Sequence, residues 1–487
     1  MRHVVLAGVF MISSCVSAEQ ETLPMWVPGS TRPIVQLSGE KFQYFHGGKV
    51  HVWDTAGMSL TNCDMNGTDL GVPVSFPGKI VLLFGDSWPY VKKNGKWTWY
   101  PTWGKGDSVG YIEKPVEFSM WDCLERLDAE LSSNASAQPD YSRGPLMKFY
   151  LKEKSKENEP RYWETEIKNL TPGQALGPFE VPTGAFAMNG HIYMFYNVKH
   201  QEEHLKDGKR KTLFLNSILA RTEKTHEHWK ENAPPVFTRL YDVGEQSRVK
   251  DITDLPDDTK GAAKFIHVAP VLLDAEAVKT AGFAEELPAE LRGRSVVLMW
   301  GASWKYVHSN LYLAVVAADE IEAGISKWWY FEGLKDNKAS WTRDEKLAAP
   351  LIHKWPKEPC IGEHSVKWNA DLKAYVLTYQ EEYRQIMIRF AAKPWGEWSE
   401  SVKIFGHHDP WAKFVHHKDR ETISSNTVEV FKPNGEPFTV GGEWGATYGP
   451  YMFDEYTKNA DGSVTIYFTM STWVPYQVFL MKTTVKK

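Results

Sequence analysis

Two stretches, Ile80–Trp88 (IVLLFGDSW) and Val296–Trp304 (VVLMWGASW), set the reading of this chain: each is an apolar run that breaks at Gly and ends in Trp. Three more runs have the same place in a repeated pattern: Ile192–His200 (IYMFYNVKH), Tyr375–Tyr383 (YVLTYQEEY) and Ile466–Val474 (IYFTMSTWV). A second alternating run follows each: Ser108–Lys114, Asn216–Glu223, Ser309–Val316, Gln385–Ala392 and Tyr476–Thr483. The starts at 80, 192, 296, 375 and 466 leave room in each copy for a four-stranded antiparallel sheet and its loops. Such recurrence signals a repeat architecture, and the alternation is that of half-buried strands. Turn dipeptides flank the runs at Pro77-Gly78, Asn189-Gly190, Asn434-Gly435 and Asp461-Gly462,. The pattern predicts an all-β, five-bladed β-propeller with loop and short helical insertions, because radial repetition leaves only short, protected sheet edges. A β-sandwich is the alternative. The five first runs are expected to be the innermost strands. Polar inserts at Ser132–Tyr141, Lys152–Pro160 and Gln201–Lys211 are expected to be loops, and Asp274 to Arg292 an inserted amphipathic helix.

Composition narrows the class. The 487 residues are 42% hydrophobic and 24% charged, with a formal net charge of -5, which is ordinary globular usage,. Lys and Arg are scattered, without the clustered basic surface that nucleic acid requires. The 21 Trp, 21 Tyr and 23 Phe serve either a packed core or the stacking of flat sugar faces. Arg2 and His3 precede an apolar run, Val4 to Ile12, and then small residues through Ala18. Nine apolar residues are too few for a membrane span, which needs about 20, so residues 1–18 read as a signal peptide. Cleavage after Ala18 gives ordinary secretion; cleavage after Ser14 gives a lipoprotein acylated on Cys15. Residues 19–40 are expected to be a linker and 41–487 the catalytic propeller. The expected locations are therefore secreted or periplasmic, with a lipid anchor on Cys15 as a variant. Cys63, Cys123 and Cys360 match no zinc spacing and read as buried small residues,.

Propeller strands that end near the channel bring residues from different blades together. The ends of the first runs are polar: Asp86, Asn197, Lys199, His200, Lys305, Gln380, Glu381, Glu382, Ser471 and Thr472. Aromatic residues Trp88, Trp304, Tyr306, Tyr383 and Trp473 lie among them. Carboxylates and aromatics at a channel mouth suit glycoside chemistry. One carboxylic acid protonates the leaving oxygen, while a second carboxylate activates water or attacks the anomeric carbon.

Further motifs carry a resemblance. Gly67-Thr68-Asp69-Leu70-Gly71 precedes Leu83-Phe84-Gly85-Asp86; Val181-Pro182-Thr183-Gly184 precedes Asn189-Gly190-His191-Ile192-Tyr193-Met194. Ser309 to Ala314, Gly362-Glu363-His364-Ser365-Val366-Lys367-Trp368-Asn369, and Tyr448-Gly449-Pro450-Tyr451 with Ser471 to Val478 follow in order. From about residue 40 onward the chain resembles the bacterial domain-of-unknown-function family 4185. That resemblance implies a five-bladed propeller, and some members are endo-D-arabinanases grouped as glycoside hydrolase family 183. After Asp86 the family often carries Thr and an Arg-Ser-Asn stretch; here Ser87-Trp88 follows, a departure that bears on the substrate more than on the fold.

The expected catalytic set is Asp69, Asp86 and Glu363, two carboxylates from the first repeat and one from the fourth. Trp88, Lys305, Tyr306, Tyr448, Tyr451, Trp473 and Tyr476 are the expected substrate-binding residues. The expected substrate is an extracellular polysaccharide, with an arabinan-type furanose polymer as one class, acted on by a monomer. Two alternatives stay open. A polysaccharide lyase acting on uronates would use His and Tyr, drawn from His191, His200, His267, His308, His364, Tyr196, Tyr306, Tyr383 and Tyr448, with Arg384 neutralising the carboxylate. A non-catalytic glycan-binding propeller would keep the aromatics alone. No cofactor is expected; His407-His408-Asp409 and His416-His417 have no firm metal-ligand spacing,. No nucleophile elbow or phosphate loop is present in the sequence,.

Overall fold

The computed structural model describes residues 22–46, 49–93, 96–99, 106–114, 116–134, 136–141, 147–153, 159–177, 179–204, 210–245, 261–352, 361–381, 385–406, 409–415, 427–431, 437–441, 446–473 and 476–487. The signal segment 1–18 and Cys360 lie outside them. Five sheets, antiparallel except where Ile167–Lys168 runs parallel to Phe237–Glu245 in blade 2, surround one channel, as the repeats predict, but the first runs are not innermost. They form the second strand of each blade: Lys79–Asp86, His191–His204, Val296–Ala302, Ala374–Gln380 and Val464–Trp473. The channel is walled by the strand before each one: Leu70–Phe76, Pro182–Met188, His267–Leu273, His364–Asn369, and, in blade 5, Met452–Lys458 with Ala446–Tyr448.

The correction has a physical reason. Inner strands crowd one another, so small residues and Pro stand where a strongly apolar alternation would be expected. Val72, Pro73, Gly184, Ala185, Ala269 and Pro270 line the channel. A Cβ on Gly184 would collide with the Val268 carbonyl of the next blade. Each inner strand has a sheet partner on one side only, the edge position in which proline is tolerated,. The second and third strands are sandwiched on both faces. Val296–Ala302 and Leu311–Ala317 are buried at every position.

Residues 25–36 are not a linker. Met25–Trp26 and Arg32–Gln36 both pair antiparallel with the terminal strand Gln477–Lys486, with Arg32 opposite Lys482 and Gln36 opposite Phe479. The start of the described chain thus supplies the outer edge of blade 5, and the ring closes through hydrogen bonds. Arg32 reaches on to Asp122 at 2.7 Å, and Lys482 meets the same Asp122 oxygen at 2.8 Å. Asp122 also caps helix Cys123–Leu131 by accepting the Glu125 N–H.

Two inserts differ from expectation. Gln201–Lys211 is in part a continuation of the blade 2 hairpin, with Gln201 opposite Leu213 and Glu203 opposite Lys211. Asp274 to Arg292 is a short helix, Ala275–Thr280, followed by two 3-10 turns, because Gly282 at φ 73° and Pro288 interrupt any longer run,. Cys63 and Cys123 are buried free thiols. No helix among the described residues is long and apolar enough to cross a membrane.

Candidate active site

All three expected acids stand where inner strands begin and second strands end. Asp69 precedes inner strand Leu70–Phe76, and Asp86 ends the second strand of the same blade. Leu70 and Gly71 both take left-handed angles, φ 63° and 79°, a sharp local turn that Gly71 adopts without a Cβ clash. The turn is fixed by Leu70 N–H donating to Ser471 Oγ at 2.7 Å and by Gly85 N–H donating to the Asp69 carbonyl at 3.0 Å. Gly85 leaves the space that the Asp69 carboxyl fills; a Cβ there would strike Asp69 Oδ1. Glu363 immediately precedes inner strand His364–Asn369 of blade 4, held as its carbonyl accepts the Gln380 N–H at 3.0 Å.

Each acid is buried and has a defined partner. Tyr448, from blade 5, donates to Asp69 Oδ2 at 2.7 Å. Asp69 Oδ1 has no hydrogen-bond partner among the described residues. Tyr306 donates to Glu363 Oε1 at 2.6 Å, and its ring stacks on His267, centroids 5.4 Å apart. Phe179 N–H approaches Asp86 Oδ1 at 3.4 Å.

Burial pushes the Asp69 carboxyl well above the usual carboxylate range, and the charges of Asp86 and Glu363 add to it against the opposing bond from Tyr448. Burial, aided by the charge of Glu180 and opposed by the Phe179 N–H and His200, raises Asp86 to about 7. Tyr451 is raised by burial and then by Glu363, with Asp69 also contributing, so it shares the field of both acids. A site that holds two buried carboxyl groups above the usual range has the makings of acid–base chemistry,.

The expected binding residues divide. Tyr306, Tyr448 and Tyr451 join the acids. Trp88, Trp473 and Tyr476 form an aromatic cluster of their own where blade 5 meets blade 1, with Trp88 4.8 Å and Trp473 5.4 Å from the Tyr476 ring. Lys305 Nζ lies 5.7 Å from the ring of Trp304, which is buried in a side core. Among the other polar strand ends, Asn197 straps Val181 and Phe179, and Ser471 holds Leu70. His364 is placed between the carbonyls of Gly362 and Trp300, 3.1 Å each, and burial lowers His267 to about 3. His191 bonds the Thr222 carbonyl at the far end of its strand. Glu382, Tyr383, Arg384, His407, His408, His416 and His417 lie outside the described residues. Among the described residues no three His, Cys, Asp or Glu side chains are grouped as a metal centre requires.

Two acids were missed by sequence reasoning. Asp107 pairs directly with Asp86 across the blade 1 ladder; the run read from Ser108 begins one residue too late. Glu180 lies just before inner strand Pro182–Met188 and contacts His200 Nδ1. Its place echoes Asp69 and Glu363, each next to the start of an inner strand, and that repetition was the available signal.

A family model described as a domain of unknown function (DUF4185) matches residues 55–482. The chain belongs to this family. No curated protein matches this DUF4185 chain. Solved structures with similar chains include a candidate hydrolase of Bacteroides ovatus, 11% identical, TM-score 0.45, covering 88% of this chain and 87% of that one. Another is an exo-1,5-alpha-L-arabinanase from a bovine ruminal metagenomic library, 10% identical, TM-score 0.32, covering 86% and 94%. A third is Zg3597, a family 117 glycoside hydrolase of Zobellia galactanivorans, 8% identical, TM-score 0.36, covering 93% and 90%. Likenesses at this level carry no argument about the chemistry of the DUF4185 chain, which rests on its own residues.

Proposed function

We propose that this DUF4185 protein is an exported, monomeric glycosidase that hydrolyses an extracellular polysaccharide, with arabinan-type furanose polymers as the first class to test. The observation that carries the reading is that Asp69 and Glu363, from different blades, stand close enough for the charge of Glu363 to act on Asp69. Asp69 is a buried acid held toward its neutral form, with one oxygen unpartnered among the described residues. Glu363 enters from another blade and is oriented by Tyr306. Asp69 gives its proton to the glycosidic oxygen as the C–O bond breaks. Glu363 then takes a proton from the attacking water or attacks the anomeric carbon itself. Burial keeps Asp69 toward its neutral form, and Asp86 adds to this once it ionises near neutrality. The aromatic cluster of Trp88, Trp473 and Tyr476 offers a stacking face for a neighbouring sugar. Export is supported by the basic, apolar and small-residue order of residues 2–18, with Cys15 as the acylation point of a lipoprotein form.

Reducing-end release from arabinan, arabinogalactan and uronate polysaccharides tests the reading. Asp69→Asn, Asp86→Asn and Glu363→Gln are each expected to lower turnover by about 10²–10⁴. Wild-type turnover in all three would defeat the assignment. An unsaturated, ultraviolet-absorbing product would instead identify a lyase, and glycan binding without turnover a binding module.

A further inference from the structure

Behind Asp86 lies a layer of polar groups that the acid pair does not use. Asp107 sits directly across the ladder from Asp86 and is 3% exposed. Its Oδ2 meets the hydroxyl of Tyr196, from the second strand of blade 2. The same hydroxyl stands 2.7 Å from the main-chain carbonyl of Glu180. A phenol has one proton to donate, and a main-chain carbonyl can only accept. If Tyr196 gives its proton to Glu180, the contact with Asp107 requires a proton on the carboxyl. An ionised Asp107 would leave one of the two close oxygen–oxygen contacts without a hydrogen, which is costly in a buried site.

We infer that Asp107 is held as a neutral carboxylic acid and acts as a positioning residue, donating to Tyr196, which donates in turn to the Glu180 carbonyl. The chain of bonds fixes the segment whose Phe179 N–H reaches Asp86 and whose Glu180 carboxyl engages His200. Its kinetic consequence rests on the reading of Asp86 as part of a hydrolytic site; the proton on Asp107 does not. Burial, reinforced by the charges of Asp86, Asp69 and Glu180, independently raises the Asp107 carboxyl well above the usual range. Because the role is that of a neutral donor, asparagine can fill it: its amide N–H replaces the carboxyl O–H.

Difference infrared spectroscopy of the full chain at pH 8, wild type against Asp107→Asn, reads the proton directly. One protonated-carboxyl carbonyl band is expected to vanish in the variant. An unchanged spectrum in that region would overturn the inference, whether or not the protein turns over any glycan. In kinetics, Asp107→Leu is expected to lower kcat about a hundredfold with little change in KM, through a displaced Asp86, while Asp107→Asn restores the wild-type value and pH profile. If the leucine variant does not fold, Tyr196→Phe breaks the same chain with the ring retained and is expected to show the same loss. An asparagine variant as impaired as these would show that Asp107 is needed as a charge, and the positioning role would fall.

Discussion

Replacing Asp86 with Asn separates stability from activity in a way that depends on pH. Asp86 is buried at the end of the blade 1 second strand, and its carboxyl is raised from 3.8 to about 7. In the unfolded chain it ionises near 4; in the folded protein it stays protonated until near neutrality. A raised acid of this kind gives the wild type its full stability below about pH 4, and that stability is lost as pH climbs to about 7. At about 1.4 kcal/mol per pH unit, the displacement corresponds to about 4 kcal/mol. Asn does not titrate, fits the same space and still offers an oxygen to the Phe179 N–H. Asp86→Asn should therefore match the wild type at pH 4, gain on it through pH 5 and 6, and lead by up to about 4 kcal/mol at pH 8. Urea midpoints at those four pH values, with the m-value constant between proteins, measure the difference. Turnover in the same samples should be lower by about 10²–10⁴. A stability difference independent of pH, or a variant weaker than wild type at pH 8, would refute the argument by showing that Asp86 ionises as an exposed carboxylate does.

Two further outcomes follow from packing. Gly85→Ala drives a methyl into Asp69 Oδ1 and toward Leu70 and Val181 at 2.9 Å each, so it should cost about 1–3 kcal/mol and abolish glycan hydrolysis, read by thermal melts and reducing-end release; an active variant would show that Asp69 need not occupy that position. Asp122→Ala strips the shared partner from Arg32 and Lys482, both at the ring closure, and should cost about 3 kcal/mol, toward the low end for a buried pair because Glu125 stays on Arg32,; urea unfolding unchanged by the substitution would deny the closure its electrostatic lock.

The five-blade count was legible because it rests on local patterning. Second and third strands are covered on both faces, so Lys79–Asp86, Val296–Ala302 and their counterparts carry an unbroken apolar signal that repeats along the chain,. The placement of Asp69, Asp86 and Glu363 was legible for a related reason: each stands at a strand end within two residues of a glycine, a position that topology converts into the mouth of the channel. The inner strands were hidden because crowding at the channel selects Gly, Ala and Pro, which read as breaks in a strand when met in sequence. Ring closure was hidden because Arg32–Gln36 finds its partner more than 440 positions away in Gln477–Lys486. Sequence therefore determined how many sheets form and which strand ends are polar. Only the tertiary structure decided which acids hold a proton. Tyr448 meets Asp69 across 379 residues and Tyr196 meets Asp107 across 89, and the loss of water and nearness of other charges that shift a carboxyl exist only once those blades have come together.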